Sequence, residues 1–397
     1  MKSFPIKHIN NILYFAVSKI VPAATILLLT KELFLTLNSQ LFEKYSIISS
    51  LSITIASFII GWLSQSNIRY AIKYKQDTID INSLISTLCL ILIFCSVFLY
   101  ILSFNVIFLI LFLSLSIAFN RLSLSYYQAL IKSEWVFYQE LLRSIILLIY
   151  ISTIYLFDYN DLTYAVVWIS SSYLIPSLII YKEIRFNINI NVDGLKKYLK
   201  YGIPMSIWLV ISTGYPTLER YILSSIYSGD DLSDYFAMNE LLVRGAGIVF
   251  TPIMMYLHPL LMNSFDKSES IFNNILIKSI LLLCLSSIFI IAIYAMLSDS
   301  LVRLVLPNVN QKIIDYSFLI LCIPALWQLC FMSHKRLEAQ GKTSTLSLFI
   351  FISLLIFILL LIFLIPVFGI WAGVYSQMFS LMIYILLVVM CSKRITT

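Results

Sequence analysis

Apolar residues run in blocks of about twenty along almost the whole chain, separated by short polar breaks. A block of that length in helical geometry crosses the hydrocarbon core of a bilayer. Leu354 to Ile365 reads LLIFILLLIFLI and shows no alternation, which excludes the polar–apolar period of a membrane β-barrel. The pattern predicts twelve transmembrane helices, near residues 10–30, 43–65, 83–103, 105–129, 135–157, 161–182, 198–224, 234–262, 271–297, 312–334, 344–366 and 369–391. The intervening segments leave no room for a soluble domain. The longest linkers are Ser66–Asn82 and Glu183–Lys197.

The second linker divides the chain into six spans on each side. Phe42-Glu43-Lys44-Tyr45 and Leu232-Ser233-Asp234-Tyr235 open corresponding spans of the two halves, a faint internal echo. The expected fold class is therefore an all-α polytopic membrane protein, with about twelve transmembrane helices in two six-helix lobes around a central cavity. The expected division is residues 1–183, a cytoplasmic linker at 184–197, and 198–397. The seventh and eighth spans carry Gly202, Pro204, Gly214 and Pro216, then Gly245, Gly247, Pro252 and Pro259. These residues predict interrupted helices, with Gly214 and Pro216 as hinge candidates because they precede the charged pair Glu219-Arg220.

Composition agrees with the pattern: 60% of the 397 residues are apolar and 12% are charged. The net charge of +7 is explained by membrane orientation and does not point to nucleic acid. With the N-terminus inside, seventeen lysines and arginines fall on the cytoplasmic side against four (Lys31, Lys44, Arg303 and Lys312) outside. Both termini are thus expected in the cytoplasm. Lys19 interrupts the first apolar block, which argues against a cleaved signal peptide there. The six cysteines and three histidines match no metal or disulfide pattern, so no metal and no cofactor is expected.

Six basic residues fall inside the spans: Lys19, Arg121, Arg143, Arg220, Arg244 and Lys278. Charge in hydrocarbon is costly and commonly faces a partner or a wet cavity. Lys19, Arg143, Arg220, Arg244 and Lys278 are therefore candidates for binding a phosphate-bearing substrate, since guanidinium and ammonium groups both hold phosphate. Local pairing is the plainer alternative. Glu140–Arg143 and Glu240–Arg244 have helical spacing, and Arg121 and Lys278 have stems long enough to reach an interface. Glu219 and Glu240 are ion-coupling candidates, because carboxyl groups in low dielectric can exchange protons near neutral pH. Tyr126-Tyr127, Tyr215 and Tyr221 are candidate sugar-stacking faces, against the plainer role of interfacial aromatics.

Across nearly its whole length the chain also resembles a known family. The relevant pieces are Ile68-Arg69-Tyr70-Ala71, Tyr127-Gln128-Ala129-Leu130-Ile131-Lys132 and Tyr201-Gly202-Ile203-Pro204. Glu219-Arg220-Tyr221 with Tyr235, Pro259, Glu338-Ala339-Gln340-Gly341-Lys342 and Ile365 to Gly373 complete the set. In this order they resemble the polysaccharide flippases of the MOP superfamily, the Wzx-type O-antigen transporters; Glu219 departs from the more usual Asp. The resemblance implies movement of an undecaprenyl-diphosphate-linked oligosaccharide from the cytoplasmic to the outer leaflet of a bacterial inner membrane by alternating access. It also implies membrane lipid, and the polymerase and chain-length regulator of a surface-polysaccharide pathway, as partners. Two other functions compete. A glycan polymerase would carry a sizeable external catalytic loop, and the short acidic turn Asp230-Asp231 with Asp234 is a poor one. A multidrug/cation antiporter of the same superfamily would favour buried acids over the basic residues found here.

Overall fold

The computed structural model describes residues 6–70, 106–130, 132–157, 161–179, 192–265 and 267–393. The expected span at 83–103, most of the linker at 184–197, and Cys89 and Cys95 lie outside these residues. Each of the other eleven expected spans coincides with helix. They are α1 (Ile6–Thr36), α2 (Ser39–Tyr70), α3 (Val106–Ala129), α4 (Ser133–Phe157), α5 (Leu162–Ser177), α6 (Val192–Ile226), α7 (Asp230–Phe265) and α8 (Glu269–Val305). There follow a short α9 (Gln311–Tyr316), α10 (Phe318–Ser333), a short α11 (Lys335–Ala339), α12 (Thr343–Phe368), a 3-10 turn (Gly369–Trp371) and α13 (Ala372–Lys393). No strand occurs among the described residues.

Local chemistry sets several helix ends. The Asp161 carboxylate accepts the Thr163 N–H at the start of α5, and Ser268 Oγ accepts the Ile271 N–H at the start of α8. Gly369, at φ +60°, closes α12 where a side chain would be strained. Lipid-like exposure marks the outside. Ile277, Leu281, Leu285, Ile288 and Phe289 of α8 are all more than half exposed, as befits apolar residues solvated by acyl chains.

The helices pack as two compact units, one of Met1–Leu29 and Lys44–Thr217, the other of Thr30–Glu43 and Leu218–Thr397. In the first, α3, α4 and α5 pack on one another, joined by α1, α2 and the earlier part of α6. In the second, α10 packs against α7, α8 and α13, and α12 lies along α13. The packing boundary falls within α6, between Thr217 and Leu218, and the expected linker at 184–197 overlaps the start of that helix. The reason is visible in the bonding. Residues 198–217 are tied to α2, and Glu219 onward is tied to α7 and α13.

The expected interruptions of the seventh and eighth spans do not occur: α6 runs unbroken through Pro204 and Pro216, and α7 through Gly245 and Gly247. Near Pro216 the backbone gains side-chain partners. Thr54 Oγ1 of α2 donates to the Thr213 carbonyl at 2.8 Å and lies 3.0 Å from Thr217 Oγ1. Hydroxyls of this kind stabilise a proline-bearing helix in lipid. The same two helices approach closely through small residues. Ser66 Oγ donates to the Tyr198 carbonyl at 2.8 Å and Ser206 Oγ to the Ser57 carbonyl at 3.3 Å.

That crossing requires Gly202. A Cβ there would overlap the Trp62 carbonyl oxygen and lie 2.6 Å from Ser66 Oγ, whereas a Cβ at Gly245 meets nothing within 4 Å. Gly202→Ala is expected to destabilise the protein by about 1–3 kcal/mol through overpacking. Gly245→Ala is expected to be neutral or to stabilise by up to about 1 kcal/mol through helix propensity. Thermal unfolding of the two variants in detergent checks the contrast, and equal melting temperatures would refute the close-crossing account.

Candidate functional site

Within the first unit, three helices bring charge together. Lys19 of α1 and Arg143 of α4 share one carboxylate, Glu140: Lys19 Nζ lies 3.3 Å from Oε1, and Arg143 Nη1 lies 3.1 Å from Oε2. Arg143 also donates from Nη2 to the Tyr173 hydroxyl of α5 at 2.7 Å, with its guanidinium carbon 4.0 Å from the centre of that ring. Its Nε–H is buried with no acceptor among the described residues. Arg143 and Glu140 are both more than nine-tenths buried, while the Lys19 side chain keeps 23% of its surface.

A neutral polar network fixes Tyr173. Ser177 Oγ donates to the Tyr173 carbonyl at 2.6 Å, and Asn120 and Gln139 both donate to Ser177 Oγ, at 3.1 and 3.2 Å. Ser123 Oγ completes the network by donating to Gln139 Oε1 at 3.0 Å. Helices α3, α4 and α5 are thus pinned by buried hydrogen bonds, and the arginine beside them is held in place. Arg121, read from the sequence as an interfacial residue, instead lies between helices and donates from Nη1 to Ser57 Oγ of α2 at 2.5 Å. No carboxylate is within ion-pair distance of it among the described residues. Among the described residues, Lys19 and Arg143 share Glu140 and Arg121 meets no carboxylate, so these four side chains carry a formal excess of two positive charges.

The second unit differs. Arg220 of α6 reaches Glu240 of α7 at 2.7 Å, and Arg244 reaches the other oxygen of the same carboxylate at 2.5 Å. Glu219 turns away from Arg220. It accepts hydrogen bonds from the Tyr235 hydroxyl and from Gln377 Nε2 of α13, both neutral groups, and makes no ion pair among the described residues. Its carboxylate occupies the space over Gly373, where a Cβ would overlap it. Two arginines and two glutamates give this cluster no formal excess.

The predicted residues thus separate. Lys19 and Arg143 share one buried site; Arg220, Arg244, Glu219 and Glu240 form another. Lys278 joins neither, lying exposed on the apolar face of α8 beside Ile277 and Leu281. Its stem supplies the reason, because a lysine on a lipid face extends along its own helix toward the interface. Gly214 and Pro216 lie in α6 one turn before Glu219. Tyr127 and Tyr215 are fully buried, which removes them as sugar-stacking faces, while Tyr221 is 66% exposed. Arg121 was the residue passed over. Its signal was the absence of any acidic residue at helical spacing in Val106–Ala129.

No protein-family model matches the sequence, and no curated protein matches it. The fold, by contrast, has solved counterparts. The chain is similar to an outward-facing multidrug resistance MATE family transporter of the MOP superfamily, with 12% identity over 97% of this chain and 96% of that one and a TM-score of 0.66. It is similar to an inward-facing transporter of the same description, with 12% identity over 98% and 94% and a TM-score of 0.64. A MATE transporter of Vibrio cholerae matches at 11% identity over 97% and 96%, with a TM-score of 0.63. At these identities the likeness establishes a fold: this is a polytopic membrane protein with the architecture of MATE transporters.

Proposed function

We propose that this protein is a flippase that carries an undecaprenyl-diphosphate-linked oligosaccharide from the cytoplasmic to the outer leaflet by alternating access. The fold supports a transporter over an enzyme, because the solved counterparts are transporters. The cargo is argued from charge. The carrying observation, among the described residues, is the formal excess of two positive charges over Lys19, Arg121, Arg143 and Glu140, of which Arg143 and Glu140 are buried and Lys19 and Arg121 partly accessible. Uncompensated charge in a low-dielectric interior is costly, and an anionic ligand lowers that cost. A cationic drug would raise it. A diphosphate head group suits the guanidiniums, which bind phosphoryl oxygens in forked geometry.

The two clusters make opposite predictions for mutants. Lys19→Gln and Arg143→Gln each leave Glu140 one cation and are expected to reduce transport at least tenfold at normal membrane levels. Arg220→Ala removes a buried partner of Glu240 and is expected to cost about 3 kcal/mol of stability, the typical effect of breaking a buried pair. Arg244→Ala should cost less, since 22% of that side chain is accessible. Quantifying membrane protein and surface glycan in the same strains separates lost folding from lost transport.

Deletion in the native host tests the reading itself. The expected phenotype is loss of surface polymer, with complete lipid-linked repeat units shielded from an external lectin. Single units still reaching the surface would instead indicate a polymerase. Unchanged glycan with increased sensitivity to cationic drugs would indicate a multidrug exporter.

A further inference from the structure

Lys278 belongs to neither charged cluster, and its surroundings are of a different kind. It is exposed on α8 beside Ile277, Leu281 and Leu285, apolar residues that are each more than half exposed. Acyl chains solvate such a face. The two carboxylates of α8 are engaged elsewhere, Asp299 with Arg303 at 2.8 Å and Glu269 with Arg336. Lys278 makes no ion pair among the described residues.

The charges of α8 also set its depth. Residues 279–298 carry no charge, and twenty helical residues span about 30 Å, the thickness of the hydrocarbon core. The exposed pair Asp299–Arg303 stands just beyond one end of this stretch, and Lys278 just beyond the other. Asn274, one turn nearer the Glu269 end, is exposed on the same face. Side chains of a helix lean toward its N-terminus, so the lysine stem covers the turn that holds Asn274. An ammonium and an amide are thus presented together to lipid, at the level of the head groups.

We propose that Lys278 and Asn274 bind the head group of an anionic phospholipid, its phosphate on the ammonium and an acyl chain along Leu281 and Leu285. Charge complementarity selects this occupant. The ammonium has no counter-ion among the described residues, and a lipid of net negative charge supplies one. A zwitterionic lipid carries its own cation beside the phosphate and gains less. On the orientation expected from the basic residues, the lipid belongs to the cytoplasmic leaflet. Held there, it fixes the depth of a 37-residue helix that is longer than the hydrocarbon is thick. The site lies on the lipid-facing surface of the second unit, so it does not depend on the cargo.

The test titrates the full-length protein, in micelles of a neutral detergent, with dioleoylphosphatidylglycerol or dioleoylphosphatidylcholine. Native mass spectrometry reads the first lipid bound. Wild-type protein is expected to bind phosphatidylglycerol about fivefold more tightly, the scale of one lysine at an anionic membrane surface. Lys278→Gln should bring the two affinities within about twofold, and Lys278→Arg should keep the preference. Lys267→Gln, at an exposed lysine in the turn before α8, should leave the preference intact. Wild-type protein without the preference, or Lys278→Gln protein that retains it, overturns the proposal. An equal loss in Lys267→Gln also overturns it, by assigning the preference to diffuse surface charge. Excess inorganic phosphate should not displace the lipid; displacement would assign the site to a free anion and overturn the lipid reading. All of these outcomes are read without transport, so failure here leaves the proposed function standing.

Discussion

Charge compensation in a low-dielectric interior is the constraint on which the rest of this structure depends. An ion carried from water into hydrocarbon-like surroundings loses several kcal/mol of solvation, and only close partners return it. Glu140 and Glu240 each serve two cations with their two carboxylate oxygens. Lys335 and Glu338, both nearly fully buried, pair at 2.6 Å within α11. Against that background an arginine whose described partner is a serine stands out. Among the described residues, the charged cluster of the first unit keeps a formal positive excess, whereas the charges of the second unit's cluster cancel.

Backbone satisfaction is the companion constraint. A helix in lipid has no water to accept from, so a proline within α6 must be accommodated by side chains. Thr54 and Thr217 donate to the Thr213 carbonyl in the turn before Pro216, and the same α2–α6 seam contains Ser57, Ser66 and Ser206. Close approach of the two helices and hydroxyl bonding to carbonyls are therefore one device. Arg121 donates into that seam at Ser57, so the anion-binding question and the packing of α6 meet in one residue. Helix α6 contributes Val192–Thr217 to one unit and Leu218–Ile226 to the other.

The span pattern was legible because hydrocarbon thickness dictates segment length, and each described span is helical near its expected limits. Helix continuity at Pro216 was not legible, and the hydroxyl that bonds the adjoining Thr213 carbonyl comes from Thr54, far away in sequence. The site was read in halves. Spacing of three and four residues correctly paired Glu140 with Arg143 and Glu240 with Arg244. It could not place Lys19 on Glu140, 121 residues away, or direct Arg220 to Glu240 past its own neighbour Glu219. Lys278 and Arg121 carry the same sequence signal, a cation in an apolar helix, yet one is exposed on α8 and the other is enclosed. Only the helix face separates them, and hydrophobicity that is uniform around both helices conceals the face.

Glu219 and Glu240 show how that long-range choice divides chemical roles. Both are acids next to arginine, one in sequence and the other one helical turn away, and the sequence treats them alike. In the folded chain Glu240 receives both guanidiniums, so protonating it would break two ion pairs at once. Glu219 is held by a phenol and an amide, which remain hydrogen-bonding partners whether the carboxyl is charged or neutral. Proton exchange at Glu219 therefore leaves the surrounding network connected, while exchange at Glu240 dismantles it. Of the two acids, Glu219 is the one that neutral groups hold, because Arg220 is committed to the other carboxylate.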